Sequence, residues 1–260
     1  MPYATLKLEM EGELATITLN RPEKRNAITA QMIEELLAAL DEAEASPARA
    51  VILTGTGKAF CSGMDLDALA AVARQSPEQN REDSKRMAGL LRRLWSYPKP
   101  LIAAVNGPAV AGGCGIATLC DFTLAVPEAR FGYTEGRVGF IPALVAVFLV
   151  RQIGEKRTRD LLLTGRILDA TEAHHIGLIT RVVPAEKLME TARELAASVM
   201  ASSPTSIART KQLLCAFAEQ EVDRELERAI EENARIRATP NFREGVAAFL
   251  EKRPPAWRSE

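Results

Sequence analysis

Residues Lys99 to Asp121 read KPLIAAVNGPAVAGGCGIATLCD. After Lys99-Pro100 comes a short apolar run, Leu101 to Val105, with the length and composition of a buried strand. Asn106-Gly107-Pro108 breaks it. Gly112 and Gly113 follow, and Cys114 to Cys120 continue as an apolar helix. A strand, a glycine turn and a buried helix leave free backbone N–H groups at the helix start. Such groups hold an anion, or a carbonyl oxygen that becomes one. Close packing of a helix on a sheet also calls for glycine, so this stretch alone leaves both uses open.

A second stretch has the same form. Val51 to Thr54 is another short apolar strand, followed by Gly55, Gly57 and Lys58-Ala59-Phe60-Cys61-Ser62-Gly63-Met64-Asp65-Leu66, with a helix expected to start near Asp65. Two such turns on one scaffold can each direct one N–H to a single oxygen, the geometry of an oxyanion hole.

The bulk numbers limit the classes. A chain of 260 residues is long enough for one large core, or for a core with an appendage. Hydrophobic content of 47% and charged content of 26% are those of a soluble globular protein, and a net charge of −1 offers no nucleic-acid surface. No apolar run approaches the length of a membrane span. The opening MPYATLKLEMEGELATITL alternates and carries acids, unlike a signal peptide. Four cysteines, at 61, 114, 120 and 215, have no metal-ligand spacing and are expected as buried small hydrophobes in a reducing cytoplasm. The two histidines, His174 and His175, leave little for a histidine triad or a metal site.

Along the chain, Tyr3 to Met10 and Leu14 to Leu19 alternate as a hairpin around Glu11-Gly12. Thr29 caps a helix over 30–44 with an apolar stripe at Met32, Ile33, Leu36, Leu37 and Leu40. A helix is expected over 65–73, a mobile polar loop over 76–84, and a helix over 86–95 that stops before Pro98. Strands follow at 122–126 and 129–132, a turn at 139–142, and helices over 143–153, 156–164 and 169–175. Residues 179–183 form a strand, and 186–200, 204–220, 221–238 and 242–251 are helical. Residues 1–195 are expected as a core domain and 196–260 as a helical C-terminal domain.

Several of these segments carry a family resemblance. AFCSGMDL with NGPAVAGGCGIATLCD resembles the paired signature of the crotonase superfamily, the enoyl-CoA hydratases and isomerases. ITLNRPEKRNAI, ARFGYTEGRVGFIP, TGRILDATEAHHIGLITRVVP and AFLEKRPPAW fall in the same order as in that family. The resemblance implies an α/β spiral of ββα units with a helical C-terminal region that packs on neighbouring subunits, giving a trimer or a dimer of trimers.

The resemblance also assigns residues. The family's oxyanion-hole donors fall on the N–H groups of Met64 and Gly112, where each donor contributes roughly 3–4 kcal/mol. Glu135 matches the family's second catalytic glutamate; a carboxylate beside an apolar acyl pocket is raised in pKa and suited to carry a proton both ways. Position 115, where two-glutamate hydratases have their first catalytic glutamate, is glycine here. Single-carboxylate members include isomerases that move a double bond and hydratases of branched or dicarboxylic acyl groups, and EGRVGFIPALVAVFLVRQIG looks more like the latter, the methylglutaconyl-CoA hydratase type. Lys24 and Arg25 border the CoA site in relatives, where their charge suits phosphate. Ala59, Ser62, Asp65 and Leu66 surround the first turn and would face the pantetheine or adenine. Phe249 and Lys252 match C-terminal positions that often reach a neighbour's CoA. His174 and His175 have no catalytic role, and Tyr133 is expected in packing.

Other classes fit less well. Gly55-Thr56-Gly57-Lys58 has neither the spacing nor the Ser or Thr of a P-loop. A serine hydrolase lacks a base. The alternatives that remain are a Δ3-Δ2 enoyl-CoA isomerase using the one glutamate and a silent acyl-CoA-binding homologue; retention of Glu135 argues against the second. The expected activity is hydration of an α,β-unsaturated acyl-CoA, with no metal or redox cofactor, since coenzyme A belongs to the substrate.

Overall fold

A computed structural model describes residues 3–72 and 74–258. The chain opens with strands β1 (Leu6–Glu11) and β2 (Leu14–Leu19) and helix α1 (Ala30–Ala45), whose N-cap is Thr29 accepting from the Met32 N–H. Then come β3 (Ala50–Gly55), α2 (Leu66–Val72), α3 (Pro77–Trp95), β4 (Leu101–Val105), β5 (Ala109–Val110) and α4 (Gly112–Thr118). Strands β6 (Phe122–Ala125) and β7 (Arg130–Gly132) lead to α5 (Ala143–Thr164), which is broken at Gly154 by a positive φ of 77°. The rest is β8 (Leu168–Asp169), α6 (Ala170–His175), β9 (Arg181–Val182) and the helices α7 (Leu188–Met200), α8 (Pro204–Ala216), α9 (Glu219–Ile236) and α10 (Pro240–Leu250).

Six strands form one sheet in the order β1-β2-β3-β4-β6-β9, antiparallel at β1–β2 and parallel elsewhere. Ile17, Leu53, Ala103 and Thr123 lie in one register row, and β3 and β4 are buried almost throughout. Such strands read as continuous apolar runs because both faces are covered. A smaller sheet, β5-β7-β8, lies beside the turns of interest. The crossovers return every parallel strand with the same polarity, so the loops after β3 and β4 emerge at the same edge of the sheet.

One expectation changes. Residues 76–84 are not a mobile loop but the first half of α3. Ser76 accepts from the Gln79 N–H, the Gln79 side chain returns to the Ser76 N–H, and Pro77 occupies the first turn, which together make a capping box. The polar composition also misleads because Asn80 and Ser84 are buried against α9. The expected helix over 65–73 is α2, with Ala73 lying outside the described residues.

The C-terminal helices differ in how they pack. Val222, Leu226, Ala229 and Ile230 of α9 join the main core, packed against α3 and α5. α8 buries no residue, and leaves Leu213, Leu214 and Phe217 exposed. α10 lies on α2 and on the 3-10 turn Glu135–Val138 of its own chain. Among the described residues, no helix is long and apolar enough to cross a membrane.

Candidate active site

The loops after β3 and β4 are bolted together. Cys61 pairs with Ala109 in an isolated bridge, the Val110 N–H donates to the Cys61 carbonyl at 3.0 Å, and the Ile28 N–H donates to that of Gly63 at 2.8 Å. Gly63 has φ +84°, and a Cβ there would sit 3.1 Å from the Ala111 Cβ; one at Gly113 would sit 2.7 Å from the Cys61 sulfur. Glycine is therefore needed at both positions, to bring the two turns into contact.

Two side-chain amides hold the first turn. Asn26 is fully buried, accepts from the Arg21 N–H through Oδ1, and donates through Nδ2 to the carbonyls of Thr56 and Ala59. Asn106 accepts from the Gly55 N–H and donates to the Gly57 carbonyl.

The second turn stores strain. Ala111 sits at φ +51°, ψ −127°, a region that alanine rarely enters, at a cost of roughly 1–3 kcal/mol. Its N–H is fixed to the Gly132 carbonyl at 2.8 Å. This twist begins α4 at Gly112. Among the described residues, neither the Met64 N–H nor the Gly112 N–H has an acceptor, and their neighbours Gly63 and Ala111 touch. Two unspent donors thus lie on turns that meet through their neighbouring residues.

Glu135 is brought to the same place by β7. β5 pairs with β7 through Val110 and Gly132, and Glu135 follows three residues later at the head of the 3-10 turn. The residue as a whole is half-buried, but its Oε2 is enclosed and has no hydrogen-bond partner among the described residues. Burial raises its pKa from 4.5 to about 7, against a small lowering by its own backbone N–H. Beneath it, Tyr133 is buried with its hydroxyl 3.3 Å from Thr118 Oγ1, a packing role as expected. The Cys61 and Cys114 thiols are pushed by burial up to about 12, so neither is a nucleophile at neutral pH.

An apolar cluster adjoins these groups. Leu69, Val72, Phe242 and Val246 form a cluster separate from the main core, with Met64 and Phe140 packed against it. The Phe140 N–H donates to the Glu135 carbonyl at 3.0 Å, and the Met87 and Ile28 side chains lie over Gly112.

At position 115 a Cβ would meet Val145 Cγ1 at 2.8 Å and Leu91 Cδ2 at 3.5 Å. Packing from α3 and α5 occupies the space a first glutamate would need. Gly115→Glu is therefore expected to lower the melting temperature by several degrees and to bring no gain in rate, because it forces a carboxylate among apolar groups. A faster and equally stable variant would show that the space is open to a second carboxylate.

The other positions named from the sequence divide. Lys24 reaches Asp67 at 3.4 Å on the surface, and Arg25 is exposed at φ +52°, on the rim of the first turn. Ser62 is half-buried, with its N–H on the Arg25 carbonyl. The Asp65 carboxylate is spent within the chain. It is buried, accepts from Arg21 at 3.0 Å and from the Asp67 N–H, and caps the start of α2. Burial raises its pKa, but the Arg21 and Asp67 bonds outweigh it and hold the group below the usual carboxylate value. The Ala59 side chain is likewise buried, and its carbonyl is spent on Asn26. Leu66 begins α2, and its side chain lies outside the described residues. Phe249 is half-exposed on α10 and Lys252 follows it at φ +56°. The helix that carries Phe249 covers the turn bearing Glu135 in the same chain. Asn26, Asn106, Ala111 and Phe140 were not singled out in the sequence. The Asn-Gly pair at 106–107 was legible only as a turn.

The enoyl-CoA hydratase/isomerase family profile matches residues 9–260. A Thermus thermophilus protein with the provisional name enoyl-CoA hydratase is 48% identical, over 94% of this chain and 97% of its own length. A Clostridium acetobutylicum protein named short-chain-enoyl-CoA hydratase is 34% identical, over 95% of this chain and 94% of its own. Among solved structures, an enoyl-CoA hydratase/isomerase from Xanthobacter autotrophicus Py2 superposes with a TM-score of 0.88 at 34% identity, covering 96% of this chain and 97% of that one. The chain belongs to the enoyl-CoA hydratase/isomerase family and has the crotonase fold.

Proposed function

We propose that the protein is an enoyl-CoA hydratase that adds water across the double bond of an α,β-unsaturated acyl-CoA, or removes it. The observation that carries this reading is two unspent N–H donors and one carboxylate with an enclosed, unpaired oxygen, set on turns tied together through β5 and β7. The thioester oxygen accepts from Met64 and Gly112, so that charge arriving there as the enolate forms is stabilised. Glu135, ionised, takes a proton from water as the oxygen attacks the β-carbon, then returns it to the α-carbon. One group can do both because its pKa lies near neutrality. The activation comes from the thioester and the hole, so the reading needs no metal or redox cofactor. In this reading Lys24 and Arg25 are the cations that would meet phosphate, and the family resemblance favours a branched or dicarboxylic acyl group.

Incubation with crotonyl-CoA tests the reading: the enone absorbance should fall and the product should gain one water. A Δ3-Δ2 isomerase would use the same residues and leave the mass unchanged.

The reading includes assembly into a trimer or a pair of trimers. Its support is α8, which buries none of its residues in this chain and exposes Leu213, Leu214 and Phe217. Sedimentation at micromolar concentration should give three or six chains, and Leu214→Glu should shift the mass downward. A wild-type monomer would remove the assembly from the account.

A further inference from the structure

A buried arginine stands at the far side of the apolar cluster and takes no part in the proton chemistry. Arg237, at the end of α9, is 3% exposed. Its Nη1 donates to Asp83 at 2.7 Å and to Asn80 at 3.4 Å, and its Nη2 donates to Asn233 at 3.0 Å. Ser84 donates to the same Asn233 oxygen at 2.7 Å, which fixes the guanidinium from two helices. Its Nε is enclosed and has no acceptor among the described residues. A buried donor left unpaired is costly and uncommon in a group otherwise so fully tied.

The carboxylate it pairs with is also shared. Asp83 is shared between Arg237 and Arg86, whose Nη1 lies 3.6 Å away. The other partner of Arg86 is Glu34, a largely exposed carboxylate. Arg237 therefore shares its one carboxylate partner with a second guanidinium, while its own Nε–H is left unpaired.

The position suits the end of an acyl chain. The guanidinium carbon lies 5.3 Å from the centroid of Phe140, the ring that packs beside Met64 on the apolar cluster. On α3, Met87 covers Gly112, and Asp83 lies four residues earlier on the same face. Helix α3 thus touches both groups, with Met87 at the donor turn and Asp83 at the guanidinium set about one helical turn apart along its axis.

We propose that Arg237 is a specificity-determining residue of this site, accepting the far carboxylate of a short dicarboxylic enoyl thioester on its free Nε–H. This rests on the hydratase reading and deepens it by selecting a substrate class. The charge-assisted bond supplies affinity, and an acyl group ending in methyl leaves the donor unpaired.

The test compares 4-carboxybut-2-enoyl-CoA with 2-pentenoyl-CoA, which differ only in a terminal carboxylate against a methyl. Wild type should prefer the diacid in kcat/KM by roughly 10- to 100-fold, mainly through KM. In Arg237→Met the ratio of the two kcat/KM values should fall by that factor; a ratio is insensitive to the fraction of protein folded. Arg237→Lys, which keeps the charge and loses the planar fork, should fall between them. If Arg237→Met does not fold, the wild-type ratio and Arg237→Lys decide the matter. Equal or better use of pentenoyl-CoA by wild type, or an unchanged ratio in the variants, overturns the assignment while the hydratase reading stands. If no enoyl thioester, crotonyl-CoA included, gains water, it is the hydratase reading that fails.

Discussion

Glu135→Gln should bind acyl-CoA with little change and lose kcat by a factor on the order of 10²–10⁴, the range for removal of a general acid–base group. The amide keeps the size of the side chain but can neither take a proton from water nor return one to the α-carbon. The wild-type pH profile should carry the same signature. Hydration needs the ionised carboxylate, and burial has raised its pKa to about 7. The rate should therefore fall with unit slope as pH drops below about 7, and this limb should be absent from the residual rate of Glu135→Gln. Stability should move the other way. The native state holds this proton more tightly than the unfolded chain, whose carboxyl titrates near 4.5, so the group costs stability as pH rises from about 4.5 to 7, and the full cost is present above 7. The gain in melting temperature of Glu135→Gln over wild type should be larger at pH 8 than at pH 5. Full activity in a folded Glu135→Gln would remove both the hydratase and the isomerase readings.

Gly112→Pro should abolish turnover, because proline has no N–H to offer the thioester oxygen. A lost donor of this type typically costs 10²–10³ in kcat. Gly112 is the first residue of α4, where the proline ring is tolerated, and the atoms its Cβ would meet are the ends of Ile28 and Met87, at 3.1 and 3.2 Å. The risk lies one residue earlier, since proline also restricts Ala111, already at φ +51°. Gly112→Ala separates the two effects: it keeps the N–H, crowds the same side chains, and should retain far more activity. The measurement is kcat for both variants, with circular dichroism showing an intact fold. A folded Gly112→Pro with near wild-type kcat would place the hole elsewhere.

Much of the fold was legible because its parts announce themselves locally. Leu101 to Val105 is apolar at every position, as a strand covered on both faces must be, and Thr29 caps α1. The strand–glycine–helix pattern pointed to a pair of turns with free N–H groups for a physical reason, and the family resemblance assigned Met64, Gly112 and Glu135 to their roles. What stayed hidden depends on contacts distant in sequence. Asn80 and Ser84 read as solvent-facing until α9 brings Asn233 and Arg237 to them. The ion pair that holds Asp65 was not legible, because its partner, Arg21, lies 44 residues away. The strain at Ala111 has no local mark, since alanine in a turn looks ordinary. The filling of the space at Gly115 by Val145 cannot be seen until α5 is packed.

The direct test of the central claim is the mass of the product formed from a 2-enoyl-CoA by the wild-type protein, followed beside a 3-enoyl-CoA of the same length. Two N–H donors and one carboxylate near neutrality, acting as a hydratase, predict a 3-hydroxyacyl-CoA heavier by one water. Conversion of the 3-enoyl thioester to the 2-enoyl isomer at unchanged mass, with the 2-enoyl thioester left unhydrated, would contradict it.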